Sequence, residues 1–91
     1  MGANLTGANL TGANLRGANL ANINLMEAYL LKADLTDAYL LGVNLSDADL
    51  QSANLSGANL MDAFLLETDL TDAYLRGTNL EGAKLAGAVL R

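Results

Sequence analysis

Cysteine, histidine, proline and tryptophan are all missing from the 91 residues. Without cysteine there is no disulfide framework and no thiolate metal site. Without histidine the chain has neither the commonest general base nor the commonest transition-metal ligand. The absence of proline, and of any polar cluster longer than two or three residues, argues against a linker, so one domain is expected over residues 1–91. Long apolar runs are missing too. A stretch such as Ala63 to Leu66 is too short for a membrane span or a signal-peptide core, so the expected location is the cytoplasm, with no membrane contact. Charged residues are few, at 16%, with a net charge of −5, while an apolar content of 52% is too high for a disordered chain.

What the sequence does contain is a lattice. Leucine occupies all 18 positions divisible by five, from Leu5 to Leu90, and Leu31, Leu41 and Leu66 stand beside that series. A period of five advances roughly 72° per residue, so on a helix these leucines would wind around the whole cylinder. A flat strand fails as well, because alternation holds over Ala-Asn-Leu and the next two residues break it. The unit is therefore a short extended piece followed by a turn.

Each register position has its own chemistry. Two residues before the central Leu stands Ala in 14 of 18 units, the exceptions being Ile23, Val43, Thr68 and Thr78. Such a preference for small side chains marks a crowded interior. The position before Leu holds Asn nine times and Asp three times, with Tyr, Phe, Lys and Val elsewhere, a variety that reads as solvent-facing. Two residues after Leu stand Gly, Asn or Asp in most units, which suits the third residue of a type II turn, where φ is positive. Glu27, Lys32, Ser52 and Glu67 fit that conformation poorly, and turns of another type are expected there.

If each unit turns the chain through about a right angle, four units close a square coil of 20 residues, and parallel coils stack at about 4.8 Å. The fold class expected is all-β, a parallel β-helix solenoid of about 4.5 coils. Its core would be Leu25, Leu30, Leu35, Leu40, Leu45, Leu50, Leu55, Leu60, Leu65 and Leu70 with the neighbouring alanines. Each buried Leu would contribute roughly 2 kcal/mol.

Units such as Ala8-Asn9-Leu10-Thr11-Gly12 and Ala33-Asp34-Leu35-Thr36-Asp37 resemble the A(D/N)LXX motif of the pentapeptide-repeat family, from Gly2 to Arg91. The resemblance implies a right-handed quadrilateral β-helix with Leu and Ala inside. It also implies relatives common in cyanobacteria, whose best understood members look like rods of duplex DNA and protect or inhibit DNA gyrase. Those members are longer, commonly dimerise through elements beyond the coils, and in some cases carry loops that interrupt the repeat. No such insertion occurs here.

A five-residue lattice generates short motifs by accident. Met1 to Thr6 matches a myristoylation pattern, yet Gly7 to Thr11 repeats the same string internally. Asn4, Asn9, Asn44 and Asn54 each open a glycosylation sequon with no signal peptide to expose it. Gly77 to Lys84 lacks the Lys-Ser/Thr pair of a phosphate loop.

The informative residues are those that depart from the lattice on the outside. Residues 1–26 carry only Arg16, residues 27–72 carry nine acids against Lys32, and residues 73–91 carry Glu81 against Arg76, Lys84 and Arg91. With 20 residues per coil, Glu27, Asp47 and Glu67 form one column near a corner and Asp49 and Asp69 lie just around it. This acidic edge could meet a basic partner, or it could serve solubility alone. No spacing for calcium is present, and no metal or cofactor is expected. Leu41 and Met61, 20 residues apart, would stack on one face with Tyr39, and Phe64 would turn the next corner above Asn44; these four form a candidate partner surface, with Met26, Tyr29, Leu31, Leu66 and Tyr74 also outside the core set. Uncapped end coils would expose leucines and strand edges, so self-association is the companion expectation. No catalytic residues are assigned: Ser and Thr hydroxyls scatter outward instead of converging. The reading of function is a non-catalytic scaffold for protein interaction, with no direct nucleic-acid binding. The alternative is a DNA-mimicking modulator of DNA gyrase.

Overall fold

The computed structural model describes residues 2–91. The chain winds as a square solenoid with principal extents of 32 × 26 × 21 Å. Every β-bridge is parallel and joins residues 20 apart, such as Asn4 to Asn24, Asn24 to Asn44, Asn44 to Phe64 and Phe64 to Lys84. Four units therefore complete one coil, and the architecture is a right-handed quadrilateral β-helix. Its first face is centred on Leu5, Leu25, Leu45, Leu65 and Leu85, and its second on Leu10, Leu30, Leu50, Leu70 and Leu90. The third is centred on Leu15, Leu35, Leu55 and Leu75, and the fourth on Leu20, Leu40, Leu60 and Leu80. Among the described residues no helix is long and apolar enough to cross a membrane.

The interior is a stack of leucine layers separated by alanines. Leu25 to Leu65 at every fifth position are 0% exposed, and Leu70 is 3% exposed. Ala28, Ala33, Ala38, Ala48, Ala53, Ala58 and Ala63 are buried against them. Leu5 and Leu90, in the outermost layers, are 37% and 53% exposed. Thr68 is fully buried at an alanine position, and its hydroxyl donates to the Leu45 carbonyl at 2.7 Å. That bond offsets the cost of hiding a hydroxyl in an apolar core.

The hydrogen bonds of one unit account for all five of its amides. The amide two before Leu closes the turn onto the preceding Leu carbonyl, at 2.9–3.3 Å. The amide just before Leu donates to the coil below, as Tyr29 does to Ala8, and the Leu amide donates to the coil above, as Leu45 does to Phe64. The amide two after Leu also bonds upward, as Glu27 does to Ser46. The remaining amide, just after Leu, points out of the ladder. In all twelve units with Asn or Asp before Leu, that side chain's Oδ1 accepts from it, as Asn44 does from Ser46 and Asp49 from Gln51. The position that reads as solvent-facing in the sequence is thus the turn's cap, an Asx-turn that satisfies the one donor the coils cannot reach.

The turns correct one expectation. Glu27, Lys32, Ser52 and Glu67 do not adopt a different turn: their φ values are +61°, +60°, +59° and +60°, alongside +58° to +74° at the glycines, asparagine and aspartates of the same register. Each turn has its closing hydrogen bond and a positive φ at its third residue alone, which is the type II pattern. A left-handed non-glycine residue costs about 1–2 kcal/mol. Abandoning the conformation would break the turn bond and take the corner amide out of register with the coil above, a larger loss in a close-packed stack. The stack therefore overrides local preference.

The strain at these corners is measurable. Lys32→Gly is expected to raise stability by about 1 kcal/mol in chemical denaturation, the reverse of glycine's usual effect. Gly57→Ala is expected to lower it by a similar amount or more, because φ is +69° and the new Cβ would run into Asp37 Oδ1. If Lys32→Gly destabilises, the left-handed corner at that unit is wrong.

Two caps carry an electrostatic signature. Asp34 and Asp69 are held below the ordinary aspartate value of 3.8, first by the Thr36 and Thr71 hydroxyls that donate to them and then by the amides of the same residues. With the folded value below the unfolded one, their contribution to stability is whole above pH 3.8 and is lost as pH falls through the folded values. Carbon-detected NMR titration is expected to place both below 3.8, and Thr36→Val and Thr71→Val to move the respective carboxyl back toward it.

Candidate interaction surface

Side chains at three of every five positions radiate outward, so function has to be sought on the faces. Six units lack the Asx cap: those with Tyr29, Tyr39, Phe64, Tyr74, Lys84 or Val89 before the central Leu. None of these side chains can accept from the amide two residues on, so the amides of Leu31, Leu41, Leu66, Arg76, Ala86 and Arg91 have no cap of this kind. Three of the six pair an aromatic residue with an off-lattice leucine, Tyr29 with Leu31, Tyr39 with Leu41 and Phe64 with Leu66. In each pair both residues flank one buried Leu on its outer side. A polar cap has been exchanged for an outward apolar pair at three places on three different faces.

The fourth face carries Tyr39, Leu41 and Met61. Tyr39 and Leu41 are 59% and 39% exposed, and Met61 is half-buried in the column directly above Leu41. Phe64 lies around the next corner on the first face, stacked above Asn44. Its neighbours there are Met26, Ser46 and Leu66, and the Lys84 ammonium from the coil above sits 5.2 Å from its ring centroid. That distance is within range of a cation–π contact.

These first-face residues line a groove of about 570 Å³. Met26, Ser46, Leu66 and Ala86 occupy the position after Leu in four successive coils, so long and short side chains alternate up the column. Ser46 is buried between Met26 and Leu66, and a notch opens above its hydroxyl. Sequence reasoning did not assemble this groove, although the 20-residue spacing of Met26, Ser46 and Leu66 was there to find it.

The five acids of the proposed edge divide into two kinds. Glu27, Asp47 and Glu67 stand at left-handed corners between the first and second faces, exposed, with no side-chain hydrogen bond among the described residues. Asp49 and Asp69 are backbone ladder partners in adjacent coils of the second face, are half-buried, and use Oδ1 to cap the Gln51 and Thr71 amides. The corner acids therefore form a ridge of uncommitted charge. The groove lies on one side of it, and on the other a second hollow of about 600 Å³ is lined by Gly7, Tyr29 and Asp49. Among the described residues no group of carboxylates converges to hold a metal ion. Arg16 and Asp34 make an exposed ion pair at 3.3 Å on the third face, a contact of small energetic consequence.

The comparisons with known proteins agree with this geometry. HetL from the cyanobacterium Nostoc sp. strain PCC 7120, a pentapeptide repeat protein involved in heterocyst differentiation regulation, is 40% identical with a TM-score of 0.92. The match covers 93% of this chain and 39% of HetL, so the chain spans about two fifths of that protein's length. Alr5209 from Nostoc PCC 7120 is 31% identical with a TM-score of 0.83, over 99% of this chain and 86% of its own. Rfr23 from Cyanothece 51142 is 39% identical with a TM-score of 0.59, over 97% of this chain and 64% of its own. A search of curated proteins returns no match. The model of pentapeptide repeats (8 copies) matches residues 3–40, 28–65 and 62–91, and with these structural relatives it establishes that the chain belongs to the pentapeptide-repeat family.

Proposed function

We propose that the chain is a non-catalytic scaffold that presents its outer faces to a protein partner. The observation carrying this reading is the exchange of polar turn caps for exposed apolar pairs at Tyr29–Leu31, Tyr39–Leu41 and Phe64–Leu66. Five of these six residues would be free to carry polar side chains if solvation were their only role, since Tyr29, Tyr39, Leu41, Phe64 and Leu66 are between 38% and 59% exposed. The chain has no histidine or cysteine, and among the described residues no side chain hydrogen-bonds the Ser46 hydroxyl in the groove, which favours binding over catalysis. Pentapeptide repeat proteins are generally non-catalytic.

The second reading, DNA mimicry directed at gyrase, draws on the ridge of Glu27, Asp47 and Glu67. It needs acidic charge spread along the rod, whereas the third face balances Asp34 and Asp37 with Arg16 and Arg76. A gyrase supercoiling assay with increasing protein separates the two. The scaffold reading expects unchanged supercoiling, and unchanged quinolone-induced cleavage, up to micromolar protein. Inhibition or protection in that range would overturn it in favour of mimicry.

A further inference from the structure

Resting on the scaffold reading, we propose that the first-face groove is the docking site for a basic segment of a protein partner, which seats one aliphatic side chain over Ser46. The occupant's chemistry follows from the lining. The notch between Met26 and Leu66, walled by Phe64, is apolar and open, and suits a Leu- or Ile-sized side chain. Asp47 and Glu67 stand along its corner edge with their carboxylates uncommitted, and Glu27 continues the column below. No cation occurs in that corner column, which runs Gly7, Glu27, Asp47, Glu67, Gly87. A Lys or Arg beside the anchoring side chain would meet this row and find complementary charge at every step of about 4.8 Å.

The Phe64 ring is already taken by Lys84, which leaves the corner carboxylates as the partners of the segment's cations. One further feature fits the same occupant. The Leu66 amide has no Asx cap because Phe64 replaces Asn or Asp, leaving a donor beside the notch for a partner's main-chain carbonyl. Apolar anchor, cationic flank and backbone acceptor together describe a basic peptide segment. They do not describe a nucleic acid, whose phosphates the corner carboxylates would repel.

The test is an amide-shift NMR titration of the full chain with a blocked peptide, Gly-Lys-Arg-Leu-Lys-Gly. Two control peptides are used, one with Glu in place of the three basic residues and one with Ser in place of Leu. Saturable shifts centred on Ser46, Asp47, Leu66 and Glu67 are expected, with each control peptide about tenfold weaker or worse. Ser46→Leu fills the notch with a side chain that the same register holds at Leu41 and Leu66, so the fold should keep it. The variant is expected to weaken binding about tenfold while its unfolding midpoint stays near the parent's.

Asp49→Asn on the second face serves as the charge control and should leave binding unchanged. Three outcomes would overturn the proposal: no saturable shifts, shifts centred on Asp49 and Asp69, or binding indifferent to Ser46→Leu. Concentration-dependent shifts at the groove without peptide would identify a second copy as the occupant and overturn it equally. Any of these results, with supercoiling unaffected, refutes the groove assignment alone; the scaffold reading falls only in the gyrase assay.

Discussion

A left-handed residue at every corner is the constraint on which the other features depend. The chain must turn through about a right angle within five residues and still return each central leucine to the interior. A type II turn does this only if its third residue takes a positive φ. That geometry holds at all 17 corners from Gly7 to Gly87, including Glu27, Lys32, Ser52 and Glu67, which gain nothing locally from it. With the corner set, the amides on either side fall into register with the coils above and below, and the leucine layers close over the alanines. The stack is thus a collective object, in which each unit's strain is held by its neighbours.

The same geometry explains why the motif prefers Asn or Asp before leucine. In a unit with coils on both sides, four of the five amides are satisfied by the backbone alone, and the fifth needs a short side-chain acceptor two residues upstream. Each unit that gives up this acceptor leaves a donor uncapped. At Tyr29, Tyr39 and Phe64 the loss is accompanied by a leucine two residues later, so the departures are paired instead of random. The lattice itself does not call for an apolar residue at these outer positions.

Much of this architecture was legible in the sequence. The leucine period excludes helix and flat strand, and the preference for alanine two residues earlier separates inside from outside at Leu25 through Leu70. Three features were not. The corner residues Glu27, Lys32, Ser52 and Glu67 are not legible from local preference, because inter-coil hydrogen bonds decide their conformation. Asn44 and its equivalents were read as merely solvent-facing, since composition gives no view of which amide lacks a partner. The groove over Ser46 is not legible from the apolar departures alone, because Ser46 and Ala86 interrupt the column of Met26 and Leu66.

The five-residue unit as the indivisible element of this fold is tested most directly by comparing two deletions in equilibrium denaturation. Removing residues 52–56 joins Gln51 to Gly57, keeps leucine spacing intact, and supplies a glycine at the left-handed corner. Removing Ser52 alone brings Leu50 and Leu55 four residues apart and takes away a corner residue. The five-residue deletion is expected to retain a cooperative transition with a modestly lowered midpoint, as for loss of one repeat unit. The single-residue deletion is expected to lose that cooperativity. Equal tolerance of the two, or a five-residue deletion that fails to fold while the single one succeeds, would contradict it.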